Sequence, residues 1–443
     1  MRRRLLQSAG LALLALIAEN AAQSQGRFER AGLAGRTVYI LAQWGEKIYA
    51  GTDDGVYVHL TSQPEDTVWI PSGLQTRRVR AVYPHQSGAL GYAVTAGIEH
   101  RPGDEDSVLI YCSQNSDSSW MPADEGIDRS GVRMIRSIDG FPSPLICGET
   151  YAASEGLVFR REIGGIWQKV FEMGISTTNV VRVNTTTVSV WVGGETTILS
   201  PFISRSDDKG ESWSTAYPDL RGDNACDALA FHPFDTSVVY AGMEGSVILS
   251  RDGGKSWESA GLSLTPFYFF GLGVNLPTRE LFAGGAAQGG VSGLFVTQLD
   301  DTVWTELVPP EPFAGIRTLL NVPSSPLSTQ LLLGTDGDGV VRYTSEPTSA
   351  AEMPAPGSPA LLRNYPNPFN PTTTIEYSVP KAVNLTVRIY DLLGRELATI
   401  ASGRHEAGQH RARWDASGMP AGVYFARLAA EGYTRNAKML LSR

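Results

Sequence analysis

The chain has 443 residues, room for about two or three domains at roughly 150 residues each. Its net charge of -9, from 46 acidic and 37 basic residues, excludes a general basic surface for nucleic acid, which needs clustered Lys and Arg against phosphates. Three cysteines, Cys112, Cys147 and Cys226, are too few and too scattered for a disulfide framework or a zinc site. At most one bridge can form, and they read as buried thiols packing like small apolar residues.

Residues 1–24 predict an export signal. Arg2, Arg3 and Arg4 form a positive start and Leu11 to Ala18 an unbroken apolar run. Ala22 and Ser24 suit the −3 and −1 positions of a cleavage site. The apolar run is too short to span a bilayer comfortably, so no membrane-spanning segment is expected in the mature chain. The arginines suit twin-arginine export, but the rest of that signal is imperfect, so ordinary Sec export is expected.

An internal repeat runs through residues 27–344. Each copy has an apolar strand, a turn rich in Pro or Gly, and a second strand ending in a small residue and Gly. A third strand, a polar turn and a strand opening with an aromatic residue complete it. First strands are expected at Val38–Gln43, Arg80–Pro84, Arg133–Ile138, Val180–Asn184, Ala228–His232, Phe269–Val274 and Arg317–Val322. Second strands are expected before Gly51, Gly97, Gly148, Gly193, Gly242, Gly284 and Gly334. The aromatic falls at Phe28, Trp69, Trp120, Trp167, Trp213, Trp257 and Trp304. Phe28 to Leu33 is a fourth strand without a blade before it, and Leu331 to Tyr343 is a last copy without a closing strand. Joining the two predicts an all-β, seven-bladed β-propeller with circular closure of the last blade, which removes exposed sheet edges.

Two turns carry the same spacing: Ser206, Asp208, Gly210 and Trp213, then Ser250, Asp252, Gly254 and Trp257. Ser113 to Trp120 and Thr297 to Trp304 are degraded copies. The Asp can accept bonds from turn amides, the Gly can take a positive φ, and the Trp can pack between blades. These turns resemble the Asp-box (BNR repeat) of neuraminidase-like propellers. There the box is a structural turn away from the reaction centre, so the resemblance implies a structural role for these acids.

Residues 345–360 contain several prolines and no hydrophobic period, and read as a semi-extended linker. Residues 361–443 then show five or six alternating strands: Thr373–Val379, Leu385–Tyr390, Glu396–Ile400, His410–Trp414, Val423–Ala429 and Arg435–Leu441. They predict a small antiparallel β-sandwich, Ig-like in scale. Asn364 to Thr374, Val387 to Arg395, Ala407 to Asp415, Gly422 to Arg427 and Lys438 to Arg443 resemble, in order, the type A C-terminal sorting domains of type IX secretion. The resemblance implies type IX machinery as a partner. It also implies passage across the outer membrane, then release or anchoring.

The propeller offers no strong chemical motif. Loops joining second to third strands are expected on the face where propellers bind ligands, and contain Asp53, Asp54, Glu149, Glu195, Glu244, Asp336 and Asp338. Blade-to-blade loops add Arg77, Arg78, Arg129, Arg221, Asp223 and Asp227. Such acids can bond sugar hydroxyls or supply an acid and a base for glycoside cleavage. Equally, Asp and Glu are ordinary residues of solvated turns. Sialidase chemistry is not expected, because the Arg-Ile-Pro of that family is absent. A xyloglucanase-like enzyme typically pairs two propellers, and one is present here. No nucleophile elbow, metal helix or phosphate loop occurs, so no cofactor, metal or catalytic residue is expected. The dense aromatic run Phe267 to Phe270 reads as core or channel lining. A surface or secreted module binding a glycan or protein is the expected function, with a surface glycoside hydrolase and an envelope scaffold as alternatives.

Overall fold

The computed structural model describes residues 26–345 and 362–441, except 63–66, 88–90, 102–106, 115–117, 142–148, 163, 175, 199, 219–223, 277, 300, 323–328, 366–368, 380–381, 392–394, 407, 421 and 431–432. The expected signal, most of the linker, Cys147, Gly148, Arg221 and Asp223 therefore lie outside the described residues. No helix occurs among those described. The chain divides into two compact units at residues 347–348.

In the first unit, β1 (Arg27–Arg30) precedes a sheet of β2 (Val38–Trp44), β3 (Lys47–Thr52), β4 (Gly55–Leu60) and β5 (Ile70–Gly73). The next contains β6 (Arg78–Ser87), β7 (Gly91–Glu99), β8 (Ile110–Gln114) and β9 (Met121–Pro122). A third holds β10 (Ser137–Gly140), β11 (Thr150–Ala153), β12 (Leu157–Arg161) and β13 (Gln168–Glu172). A fourth holds β14 (Ser176–Asn184), β15 (Ser189–Thr196), β16 (Pro201–Ser206) and β17 (Ser214–Ala216). A six-stranded sheet follows: β18 (Cys226–Phe231), β19 (Val239–Ser250), β20 (Glu258–Asn275), β21 (Glu280–Ala287), β22 (Ser292–Gln298) and β23 (Thr305–Glu306). Finally β24 (Ile316–Val322), β25 (Gln330–Thr335) and β26 (Val340–Thr344) form a sheet whose fourth strand is β1, with Phe28 opposite Tyr343.

The six-stranded sheet departs from the four-strand unit because two of its strands are double. Residues 239–243 of β19 pair with β18 and residues 244–249 with β20, about Gly245 at φ +101°. Likewise residues 258–263 of β20 pair with β19 and residues 267–275 with β21.

First strands pack side by side: β2 on β6, β6 on β10, β10 on β14, β14 on β18, β18 on β20, β20 on β24, and β24 on β2. Apolar clusters fill the spaces between neighbouring sheets. Val56 and Val58 meet Val79, Val94 and Ile98 in one; Trp191 and Ile203 meet Cys226, Val239 and Ile248 in another. Second strands are buried on both faces and so read as continuous apolar runs. Five of the six Trp residues that open outer strands are pegs between sheets, while Trp257 bonds the Gly254 carbonyl of its own turn. The indole N–H of Trp69 donates to the Ala31 carbonyl (2.7 Å), Trp120 to Ser72 (2.6 Å), Trp167 to Ala123 (2.7 Å), Trp213 to Val170 (2.8 Å) and Trp304 to Ala260 (2.8 Å). The rings bury apolar area while their one polar atom stays satisfied. This is a β-propeller-like arrangement.

The second unit is two antiparallel sheets around one core. One contains β27 (Leu362–Tyr365), β28 (Thr372–Val379) and β31 (Gly408–Asp415); the other β29 (Val383–Tyr390), β30 (Glu396–His405), β32 (Gly422–Ala430) and β33 (Tyr433–Leu441). Ile375, Val379, Val387, Ile389, Trp414, Leu428 and Met439 are buried in that core. The strand β27 was not expected from the sequence, since Leu-Arg-Asn-Tyr shows little alternation.

Candidate functional site

The first strands share a local irregularity. Ile40 pairs with Gly51, Ala81 with Gly97, Ser137 with Ala153, Val180 with Gly193, Ala228 with Gly242, Gly271 with Gly284 and Thr318 with Gly334. Immediately before that pair the register shifts in β2, β6, β14, β18, β20 and β24. The residues at this position are Tyr39, Arg80, Asn179, Asp227, Phe270 and Arg317, and Arg136 is their equivalent just before β10. Each is half-buried, while the residue before it is fully buried. A bulge of this kind re-aims one side chain out of the ladder and is a recurrent feature beside binding sites.

A second series sits two residues beyond the small residue that ends each pairing: Asp53, Glu99, Glu155, Glu195, Glu244, Ala286 and Asp336. Arg78 and Arg80 reach Glu99 at 2.8 and 3.4 Å. Arg317 reaches Asp336 at 2.6 Å and lies over the Phe270 ring at 4.9 Å. Arg80 covers Tyr39 at 4.4 Å, and the Asn179 amide donates to Asp227 at 2.9 Å. Tyr268 pairs with Glu244 across the strands, and the charge of that carboxylate raises the pKa of the Tyr268 hydroxyl. The rings of Tyr268 and Phe270 stack at 5.8 Å and 4°.

These groups come from different sheets and feel one another's charge. Burial pushes the Asp227 carboxyl up to about 7, with Glu195 and Glu244 adding to the rise and Arg136 and Arg317 opposing it. Glu195 is raised by burial and Glu244 against Arg136. Burial and the nearby Arg80 lower Arg136, while Glu155, Asp227 and Glu195 oppose that. Members of the two series from separate sheets therefore make one mixed-charge mouth.

The residues expected from the sequence divide between this mouth and other duties. Glu195, Glu244, Asp336 and Asp227 belong to it, as does the Asp53 position, where Oδ1 is buried without a hydrogen-bond partner. Asp54 instead ties its turn, held by Arg36 at 2.7 Å and by the Thr76 amide at 2.7 Å. Asp338 does the same with Arg30 at 2.6 Å and the Ala314 amide at 2.7 Å.

Glu149 lies on the opposite side of its sheet from the expected one. It precedes β11, is buried, and bonds Lys209 (2.9 Å) and Tyr151 (2.9 Å). The expected alignment on Gly148 was out of register because Ala153, and not a glycine, ends that second strand. With the register corrected, Glu155 takes the position. Arg78 belongs to the mouth through Glu99, whereas Arg77 covers Tyr111 and Arg129 bonds Asp124. Glu99, Glu155 and the bulged residues other than Asp227 were missed. Their signal is a large or polar residue followed by a small or β-branched one and an aliphatic: Arg80-Ala-Val, Arg136-Ser-Ile, Asp227-Ala-Leu and Arg317-Thr-Leu.

The two Ser-x-Asp-x-Gly-x-x-Trp turns lie elsewhere and are closed on themselves. Ser206 donates to Asp208 (2.8 Å), which also accepts from the Ser212 amide and hydroxyl at 2.8 and 2.5 Å. Asp252 repeats this with Ser250 (2.9 Å) and the Ser256 amide and hydroxyl at 2.9 and 2.6 Å. The Ser212 and Ser256 hydrogen bonds hold both carboxyls down at about 2. Gly210 and Gly254 sit at φ +97° and +91°. Cys112 and Cys226 are buried. Among the described residues no group of three or more His, Cys, Asp or Glu is arranged to hold a metal.

Comparison with known proteins bears on the two units separately. Residues 363–442 match a secretion system C-terminal sorting domain. That tail marks the chain for delivery by type IX secretion to the cell surface or the extracellular space, and implies interaction with that machinery. No curated protein sequence matches the chain. Among solved structures, one in a mitotic checkpoint complex has a TM-score of 0.50 and 11% identity, covering 72% of this chain and 93% of its own. A BBS1N structure in complex with ARL6DN has 0.50 and 13%, covering 73% and 96%. PorZ, a bacterial surface component of the type-IX secretion system of Porphyromonas gingivalis, has 0.35 and 15%, covering 92% and 75%. The first two support the fold alone.

Proposed function

We propose that this is a closed seven-bladed β-propeller, carried to the cell surface by its C-terminal domain, that recognises a glycan or a protein at the mixed-charge mouth. The double strands β19 and β20 support reading the six-stranded sheet as two blades, which makes seven. Pairing of β1 with β26 supports closure of the last blade by the N-terminal strand. The self-bonded Ser206–Trp213 and Ser250–Trp257 turns support the Asp-box reading. Sec export from residues 1–24, a linker over 345–360 and a sorting domain over 361–443 belong to the same proposal.

One observation carries the recognition role: unlike side chains from separate sheets are bulged toward a single place, at a cost in backbone pairing. A second reading, a surface glycoside hydrolase, is favoured by the Asp227 carboxyl at about 7 beside Glu195 and Glu244, the setting of a general acid. Both readings are tested with the mature full chain against panels of polysaccharides and envelope proteins, with retention and new reducing ends as readouts. Binding without new ends supports recognition; new ends abolished by Asp227→Asn support hydrolysis. Binding that survives substitution of Arg136 and Asp227 together contradicts the mouth as the site.

A further inference from the structure

We propose that the mouth takes an uncharged saccharide, seated between Arg136 and the carboxyl groups of Glu195 and Asp227 with a ring face against Tyr268. This deepens the binding reading above and rests on it. Arg136 makes no side-chain hydrogen bond or ion pair among the described residues, although it is half-buried, and its Nε is buried without a partner. Glu195 is half-buried too, and Asp227 has one neutral partner, Asn179. A guanidinium that only donates and carboxylates that mainly accept thus stand near each other with bonding capacity unspent.

Charge then selects among ligands. An anion drawn to Arg136 would stand beside Glu155, Glu195, Asp227 and Glu244. A cation drawn to those acids would stand beside Arg80, Arg136 and Arg317. At a half-buried site each clash is screened far less than in bulk water. Hydroxyl groups carry no net charge, and each both donates and accepts, so a run of them can bridge guanidinium to carboxylate. The half-buried ring of Tyr268, backed by Phe270 at 5.8 Å and 4°, adds the flat apolar surface that matches the C–H face of a pyranose.

Calorimetric titration of the mature full chain tests this, with neutral oligosaccharides (cello-, xylo-, manno- and malto-hexaose), oligogalacturonate, chitosan oligomers and a zwitterionic dipeptide. The expected result is binding of a neutral series alone, weakened about tenfold by Arg136→Met or the isosteric Glu195→Gln, and by Phe270→Ala. Arg136→Lys should restore part of the loss. Should only a charged sugar or the dipeptide bind, sensitive to the same variants, the saccharide assignment fails and the mouth stands. If the neutral series does not bind and no ligand responds to these variants, both fail.

Discussion

At the scale of single residues, the mouth is where this chain gives up stability. Asp227 has its folded pKa raised to about 7, so between about pH 4 and 7 the folded state holds a proton that the unfolded chain releases. Stability from this group is greatest below the unfolded value and falls as pH rises through the folded one. Asp227→Asn keeps an acceptor for Asn179 and removes the charge. It should stabilise the protein by on the order of 1–2 kcal/mol at pH 8 and little at pH 4, measured by urea unfolding at both. Asp208 and Asp252 have the opposite sign. Their pKa values are depressed to about 2, so their contribution is present above pH 4 and lost as pH falls through 2. The midpoint of acid unfolding should rise in pH for Asp252→Asn, followed by tryptophan fluorescence. The sequence named Asp227 only as a loop residue, because its charge environment comes from sheets distant in the chain.

Among the elements, turns and Trp positions were legible and blade register was not. The turn spacing reports a local hydrogen-bond pattern, and Trp needs a partner for its one N–H, so both leave marks within eight residues. Register in β10 and β11 did not, because small residues alternate there and Gly148 competes with Ala153 as the strand end. Gly254 is a place where this local chemistry meets packing. A Cβ there would stand 2.6 Å from the Trp191 ring at φ +91°. Gly35, at φ +81°, has nothing within 4 Å. Gly254→Ala should therefore cost about 1–3 kcal/mol and Gly35→Ala about 1, compared by thermal melting. Equal losses would show that backbone strain alone explains Gly254. The bulges left only a weak triplet pattern for a related reason: a shift of one residue in pairing changes no local propensity, only which side chain leaves the ladder.

For the whole molecule, the order of the two units and the nature of the second were readable because sorting-domain motifs recur in fixed order. The proposed closure of the first unit is supported by Phe28, whose partners Tyr343 and Phe313 lie at the far end of the unit's sequence, at 4.9 and 6.1 Å. Removing residues 27–30 should expose the β26 edge, lower the melting temperature and promote self-association, seen by light scattering. What the mouth binds was not readable, since its residues are brought together only by the arrangement of sheets. The delivery role is tested most directly by locating the protein in a type IX-competent host, with and without residues 361–443. The account predicts the full chain at the surface or in the medium and the shortened chain retained inside the outer membrane. Equal arrival of both outside the cell would contradict it.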